Sequence, residues 1–236
     1  RPFKRLPFDS LPERPRLPHS YLETPGYEVP VESAGFGRVK IHVREVGAGP
    51  PLLLIHGLMT SSYSWRYLLE PLARRGVACL GLNSRYAGND TLLLMERVIQ
   101  DLGAGVQWLH ARGYERIVLV GNSGGAALAA FYQAQAERLT FDTLIDGTPA
   151  HVAPADLPPV AGLMLCAAHE GRSHLMRRWI DPSLTREHDG LSCDHTVDMY
   201  DPVHHASGRY STAFLARFDA AQAERALVAG GDDRVA

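Results

Sequence analysis

RIVLVGNSGG (116–125) runs into AALAAFYQAQAER (126–138). The first half is a continuous apolar run, as expected of a strand buried on both faces of a parallel sheet. The Ala-rich stretch 123–138 predicts a helix. Between them, Gly121-Asn122-Ser123-Gly124-Gly125 matches G-x-S-x-G, a nucleophile elbow, in the strand–turn–helix context the motif requires. A strand turning straight into a helix strains the serine backbone and crowds the residues two positions away, which Gly121 and Gly125 relieve. Ser123 is therefore the candidate nucleophile. The Gly124 N–H, at the positive end of the helix, is a candidate donor to developing negative charge. Two alternatives are a purely structural turn and a phosphate cradle; against the second, GNSGG is not G-x-G-x-x-G and has no P-loop Lys.

Outward from the elbow, strands and helices alternate. Val39, Ile41 and Val43 alternate with Lys40, His42 and Arg44, as is typical of a hairpin, and the turn Gly47-Ala48-Gly49-Pro50 ends the stretch. PLLLIHG (51–57) and VACLGLN (77–83) read as further buried strands, with a helix over 62–75 between them. Asn89 or Asp90 can cap a helix from Thr91. Its apolar stripe is Leu92, Met95, Val98, Ile99, Leu102, Val106 and Leu109. GLMLCAA (162–168) predicts one more short buried strand, and Ser211–Val228 a helix. The pattern is α/β, a doubly wound, mostly parallel sheet. Its C-terminal third is incomplete or atypical. Residues 1–30 hold seven of the sixteen prolines and predict an extended arm without regular structure, leaving one domain over 31–236.

Composition narrows the partners. A net charge of −2 leaves no basic field for nucleic acid, and no apolar stretch reaches the ~20 residues of a membrane span. At the start of the sequence, charges are followed by prolines instead of an apolar core, so no signal peptide is expected. Cys79, Cys166 and Cys193 are too scattered for a disulfide framework, which points to a cytoplasmic chain. The His204-His205 pair has no partners at metal-ligand spacing, so neither metal nor cofactor is expected.

Two resemblances join these elements. HVREVGAGPPLLLIHGLMTSSYSWRYLLEPL (42–72) resembles the opening of the haloalkane dehalogenase and epoxide hydrolase branch of the α/β-hydrolase superfamily. Residues 82–108, 120–137 and 157–172 resemble a bacterial group of serine α/β-hydrolases. The resemblance implies that His56-Gly57 opens an oxyanion loop. The Leu58 N–H then pairs with that of Gly124 across from Ser123, and His56 is structural. It also implies an Asp nucleophile in the dehalogenase and epoxide hydrolase branch, where this elbow has Ser123. Serine directs the chemistry toward a small-molecule ester and an acyl-enzyme, as in a carboxylesterase.

The resemblance breaks after residue 168. The family order is nucleophile, acid, histidine, yet no convincing strand with a Gly-x-x-Asp loop follows, and the terminal Gly-His is absent. Seven histidines follow Ser123. Of these, His169 closes a predicted core strand and is the candidate base, with Glu170 as its orienting acid. The competing reading is a non-catalytic or truncated α/β-hydrolase-fold protein that binds a ligand or partner. If the last strands are absent, the open edge at 162–168 favours a homo-oligomer.

Overall fold

In a computed structural model of the chain, residues 17–33, 37–89, 93–144, 146–186, 189–206 and 208–231 are described. The apolar runs form β3 (Pro51–Ile55), β4 (Ala78–Asn83) and β5 (Val118–Asn122). With β1 (Gly26–Ser33), β2 (Gly37–Val46) and β6 (Gly162–Cys166) they make a six-stranded sheet of order β1-β2-β4-β3-β5-β6. The β1–β2 and β2–β4 pairs are antiparallel; β4–β3, β3–β5 and β5–β6 are parallel.

Successive residues of each buried run face opposite layers. Leu53, Ile55, Leu80, Leu82 and Leu119 point to one core, under helices α2 (Met95–His110) and α3 (Gly124–Glu137). Leu54, Cys79 and Val120 point to the other, with Tyr21, Trp65 and Leu69. This is the doubly wound α/β arrangement expected. The three cysteines are free, and burial pushes the Cys79 thiol up to about 11.

Four expectations change. Residues 26–30, expected to lack regular structure, belong to β1, where Val29 and Val31 turn inward against Ile41 and Val39. Pro30 is tolerated because β1 is an edge strand. The rest of the expected arm, 1–16, lies outside the described residues. The helix expected over 62–75 is a 3₁₀ turn (Ser62–Trp65) followed by α1 (Leu69–Ala73). Pro71 lacks the N–H that a continuous helix would need there. Helix α2 starts at Met95, with Leu94 at its N-cap and no side-chain cap, not at Thr91 behind Asn89 or Asp90. Residues 90–92, including Leu92 of the expected stripe, lie outside the described residues; Leu93 and Met95 pack against the core, so tertiary packing sets the start. Finally, β6 is an exposed edge strand: Leu163, Met164 and Leu165 are 37%, 52% and 45% exposed.

A buried polar network that the sequence reading missed fixes α2. The Arg85 guanidinium forks onto Asp101 at 2.7–3.2 Å, and the Arg85 N–H donates to the same carboxylate at 2.8 Å. Arg85 also donates to Ser33 Oγ, which donates to Gln100 Oε1. Arg97 donates to the Ala150 carbonyl at 2.6 Å. Burial pushes the Asp101 carboxyl up from its ordinary value, and the hydrogen bonds and charge of Arg85 draw it back. An acidic residue beside an apolar stripe was the available signal, because a buried carboxylate needs a partner.

The chain divides into two compact units, Arg1–Ala168 and His169–Ala236. The second holds α4 (Arg172–Trp179), a 3₁₀ turn (Pro202–His204) and α5 (Thr212–Gly231), which includes most of the helix expected from Ser211. Phe214 is its anchor, stacked on His204 and Tyr210 at centroid distances of 4.3 and 5.2 Å. No strand follows β6 among the described residues, in line with the atypical C-terminal third. Among the described residues, no helix is long and apolar enough to cross a membrane.

Asp101→Ala leaves the Arg85 guanidinium, 8% exposed, without its counter-charge. The loss should be about 3–5 kcal/mol, read as a lower urea midpoint at unchanged slope. A midpoint within error of the parent would show that the pair holds nothing.

Candidate active site

Strand β5 ends at Asn122 and α3 begins at Gly124, so Ser123 alone makes the turn. Its φ of 55° and ψ of −121° are strained for a side-chain-bearing residue, at a cost of about 1–3 kcal/mol. Backbone bonds on both sides hold it there. The Ser123 N–H donates to the Cys166 carbonyl of β6 at 2.8 Å, and the Ser123 carbonyl accepts from the Ala126 N–H at 3.0 Å.

The flanking glycines are needed for lack of space. A Cβ on Gly121 would lie 2.3 Å from the Gly125 carbonyl oxygen, and one on Gly125 would lie 2.4 Å from the His56 carbonyl oxygen. Both obstacles are backbone, so neither can swing aside. The collision argued from the motif is therefore present on both sides of the serine.

Register brings the second half of the site alongside. Ile55 of β3 pairs with Gly121 of β5, which sets His56-Gly57 next to Asn122-Ser123. A Cβ on Gly57 would stand 3.5 Å from Ser123 Cβ, and one on Gly124 would stand 2.7 Å from Leu58 Cγ. The loop at Leu58 and the first turn of α3 are thus in contact. Among the described residues, neither the Leu58 N–H nor the Gly124 N–H donates a hydrogen bond. Two unspent backbone donors flank the serine, one of them an orphan of the helix start.

His56 is 7% exposed and sits beneath this loop. Its Nε2 accepts from the Ser84 N–H at 3.4 Å, so Nδ1 carries the proton and donates to the Gly57 carbonyl at 2.8 Å. Both ring nitrogens face backbone, as expected of a structural histidine. A cavity of about 30 Å³ opens between Leu58 and Gly124 on one side and Leu93, Met95, Val98 and Leu128 on the other.

Ser123 Oγ makes no hydrogen bond within its own unit among the described residues. His169 is the first residue of the second unit. Its Nδ1 accepts from the Gly171 N–H at 3.2 Å, and its Nε2 is buried without a hydrogen-bond partner among the described residues. Glu170 does not orient it: that carboxylate pairs with Arg178 at 3.2 Å, both groups largely exposed. Of the other histidines, His195 faces Asp201 at 3.3 Å, His204 contacts the His195 carbonyl, and His188 lies outside the described residues. No cluster of three or more His, Cys, Asp or Glu suited to a metal ion occurs among the described residues.

Residues 50–162 match the family described as "alpha/beta hydrolase fold". Over 100 residues the chain is 33% identical to epoxide hydrolase 3 of Siraitia grosvenorii, covering 40% of this chain and 31% of that protein. It is 30% identical over 104 residues to bifunctional epoxide hydrolase 2 of Sus scrofa, covering 40% of this chain and 18% of that one. The chain thus spans less than a third of the length of these curated relatives. Among solved structures, an esterase from Exiguobacterium antarcticum overlaps with a TM-score of 0.39 at 21% identity, covering 46% of this chain and 40% of the other.

Two substitutions separate crowding from strain. Gly125→Ala should lose about 3 kcal/mol or fail to fold, because its methyl meets backbone. Ser123→Gly, which relieves a positive φ, should be about 1 kcal/mol more stable than Ser123→Ala. Thermal midpoints of the two Ser123 variants that coincide would show the serine backbone to be unstrained.

Proposed function

We propose, from the α/β-hydrolase fold that residues 50–162 match, that this chain is a serine hydrolase, taking a small ester into an acyl-enzyme on Ser123. The observation that carries the reading is the strained Ser123 set between two unspent backbone donors. Ser123 Oγ attacks the ester carbonyl, and the Leu58 and Gly124 N–H groups are the donors assigned to the charge that develops on its oxygen. The alkoxide leaves with a proton, and water releases the acid from Ser123.

The epoxide hydrolases among the relatives raise epoxide opening as the competing chemistry. Carboxylate attack on an epoxide gives an ester that water can cleave. Serine attack would give an alkyl ether, which is stable under the same conditions, so turnover would end after one event. A serine at the elbow therefore favours esters.

The reading assigns the base to His169. To take the serine proton on Nε2, its ring must carry its own proton on Nδ1 and give up the bond from Gly171. Because Gly171 occupies His169 Nδ1 and Glu170 is paired with Arg178, the second reading keeps a specific basis. In that reading the pocket binds a ligand or partner without chemistry.

A fluorophosphonate probe should label the protein at Ser123, and Ser123→Ala should abolish labelling together with p-nitrophenyl acetate hydrolysis. Labelling of the variant at the parent rate would remove Ser123 from the reaction; no labelling of either protein would favour the non-catalytic reading. His169→Ala should lower turnover by about 10²–10⁴ without shifting the thermal midpoint. Full activity in that variant would eliminate His169.

The exposed apolar residues of β6 support self-association through this edge. Sedimentation should give a dimer or larger, and Met164→Lys a monomer. A monomeric parent at all concentrations would exclude it.

A further inference from the structure

Leu58 can serve as an oxyanion donor only if its peptide plane is held in one orientation, and the carbonyl of that plane belongs to Gly57. That oxygen accepts twice: from His56 Nδ1–H at 2.8 Å and from Thr60 Oγ1–H at 2.9 Å. The peptide is trans, so its N–H points opposite to its C=O. Two donors gripping the oxygen from beneath the loop therefore fix the direction of the Leu58 N–H. They also draw electron density toward the oxygen, which leaves the amide proton more positive and a stronger donor.

From these contacts we infer that His56 and Thr60 are positioning residues that orient and polarise the Leu58 N–H for the Ser123 reaction, an inference resting on the proposed Ser123 chemistry. Neither residue touches the reacting atoms; each acts through the Gly57–Leu58 peptide. The support has depth. The His56 ring is fixed in turn by the Ser84 N–H, and the next residue, Arg85, is tied through its N–H and guanidinium to buried Asp101. A run of hydrogen bonds leads from the middle of α2 to the oxyanion loop. Loop geometry agrees: Met59, between the gripped peptide and Thr60, has a φ of 54°, which turns the chain back so that Thr60 reaches Gly57. The Thr60 carbonyl is tied down as well, accepting from the Gly88 N–H at 3.0 Å.

Thr60 is exposed, so its hydroxyl can be removed without opening the core, whereas His56 is buried and its substitution would leave a void beneath the loop. Thr60→Val should lower kcat for p-nitrophenyl acetate by about 5- to 30-fold, a fraction of the 10²–10³ lost with a whole oxyanion donor. KM should stay within about twofold, because the donor matters most in the transition state. Thr60→Ser, which keeps the hydroxyl, should restore the parent rate. Independently of turnover, the Leu58 amide proton should move upfield in Thr60→Val and return in Thr60→Ser, read in a ¹⁵N–¹H correlation spectrum. An unmoved Leu58 resonance in Thr60→Val, or an unchanged kcat in a protein whose Ser123 is labelled, overturns the inference. Absence of Ser123 labelling in the parent overturns instead the reading on which it rests.

Discussion

At the carboxyl edge of the sheet, three backbone segments approach within a distance that only glycine allows. The ends of β3 and β5 and the first turn of α3 meet at Gly121 and Gly125, where any Cβ would overlap a carbonyl group. That contact fixes how close α3 lies to the sheet. It thereby forces the single residue between β5 and α3 into a positive φ. It also fixes the start of the loop after β3, because the carbonyls against Gly125 are those of Ile55 and His56. The strain at Ser123 is offset by what α3 buries against the sheet, where Ala126, Ala129 and Tyr132 are wholly enclosed. Serine geometry, loop position and helix packing are three consequences of one close approach.

A second constraint acts from below. Helix α2 carries buried polar side chains on its core side, and Arg85 answers Asp101 from the loop after β4. Replacing such a pair by apolar residues often costs nothing in stability, so its effect here is on position. Arg85 cannot move without leaving two charges buried, and Ser84 beside it holds the His56 ring. The loop after β4 is in this way coupled to the loop after β3, and both border the cavity beside the elbow.

The parts that could be read from the sequence are those whose cause is local. Continuous apolar runs identified β3, β4 and β5 because burial on both faces leaves no polar alternation. The elbow was legible because five consecutive residues state their own steric problem. The parts not legible depend on distant partners. Pro25 and Pro30 made β1 look like an arm, since the sequence does not say that this strand lies on an edge. The start of α2 is set by packing of Met95, not by a capping residue. Asp101 gave no sign that Arg85, sixteen positions earlier, would reach it. GLMLC reads as a buried strand whether or not a neighbour covers it, and here three of its residues are exposed.

The site divides along the same line. The proposed nucleophile and oxyanion half is made of backbone, on strand ends and a helix start, and is enforced by glycines within a few residues. On the same proposal, the proton-accepting half comes from a side chain on a segment far away in sequence, and no local rule names that residue. The two halves would also leave different signatures. An oxyanion hole and binding alone can accelerate acyl transfer by about 10³–10⁴ over water, without a nucleophile. A chain with the backbone half intact and no engaged base would therefore hydrolyse an activated ester slowly, by water attack on a polarised carbonyl, and that rate would survive Ser123→Ala. A chain with both halves would lose nearly everything in the same variant. The fraction of activity that depends on Ser123 thus measures how far the side-chain half is assembled, whichever residue supplies it.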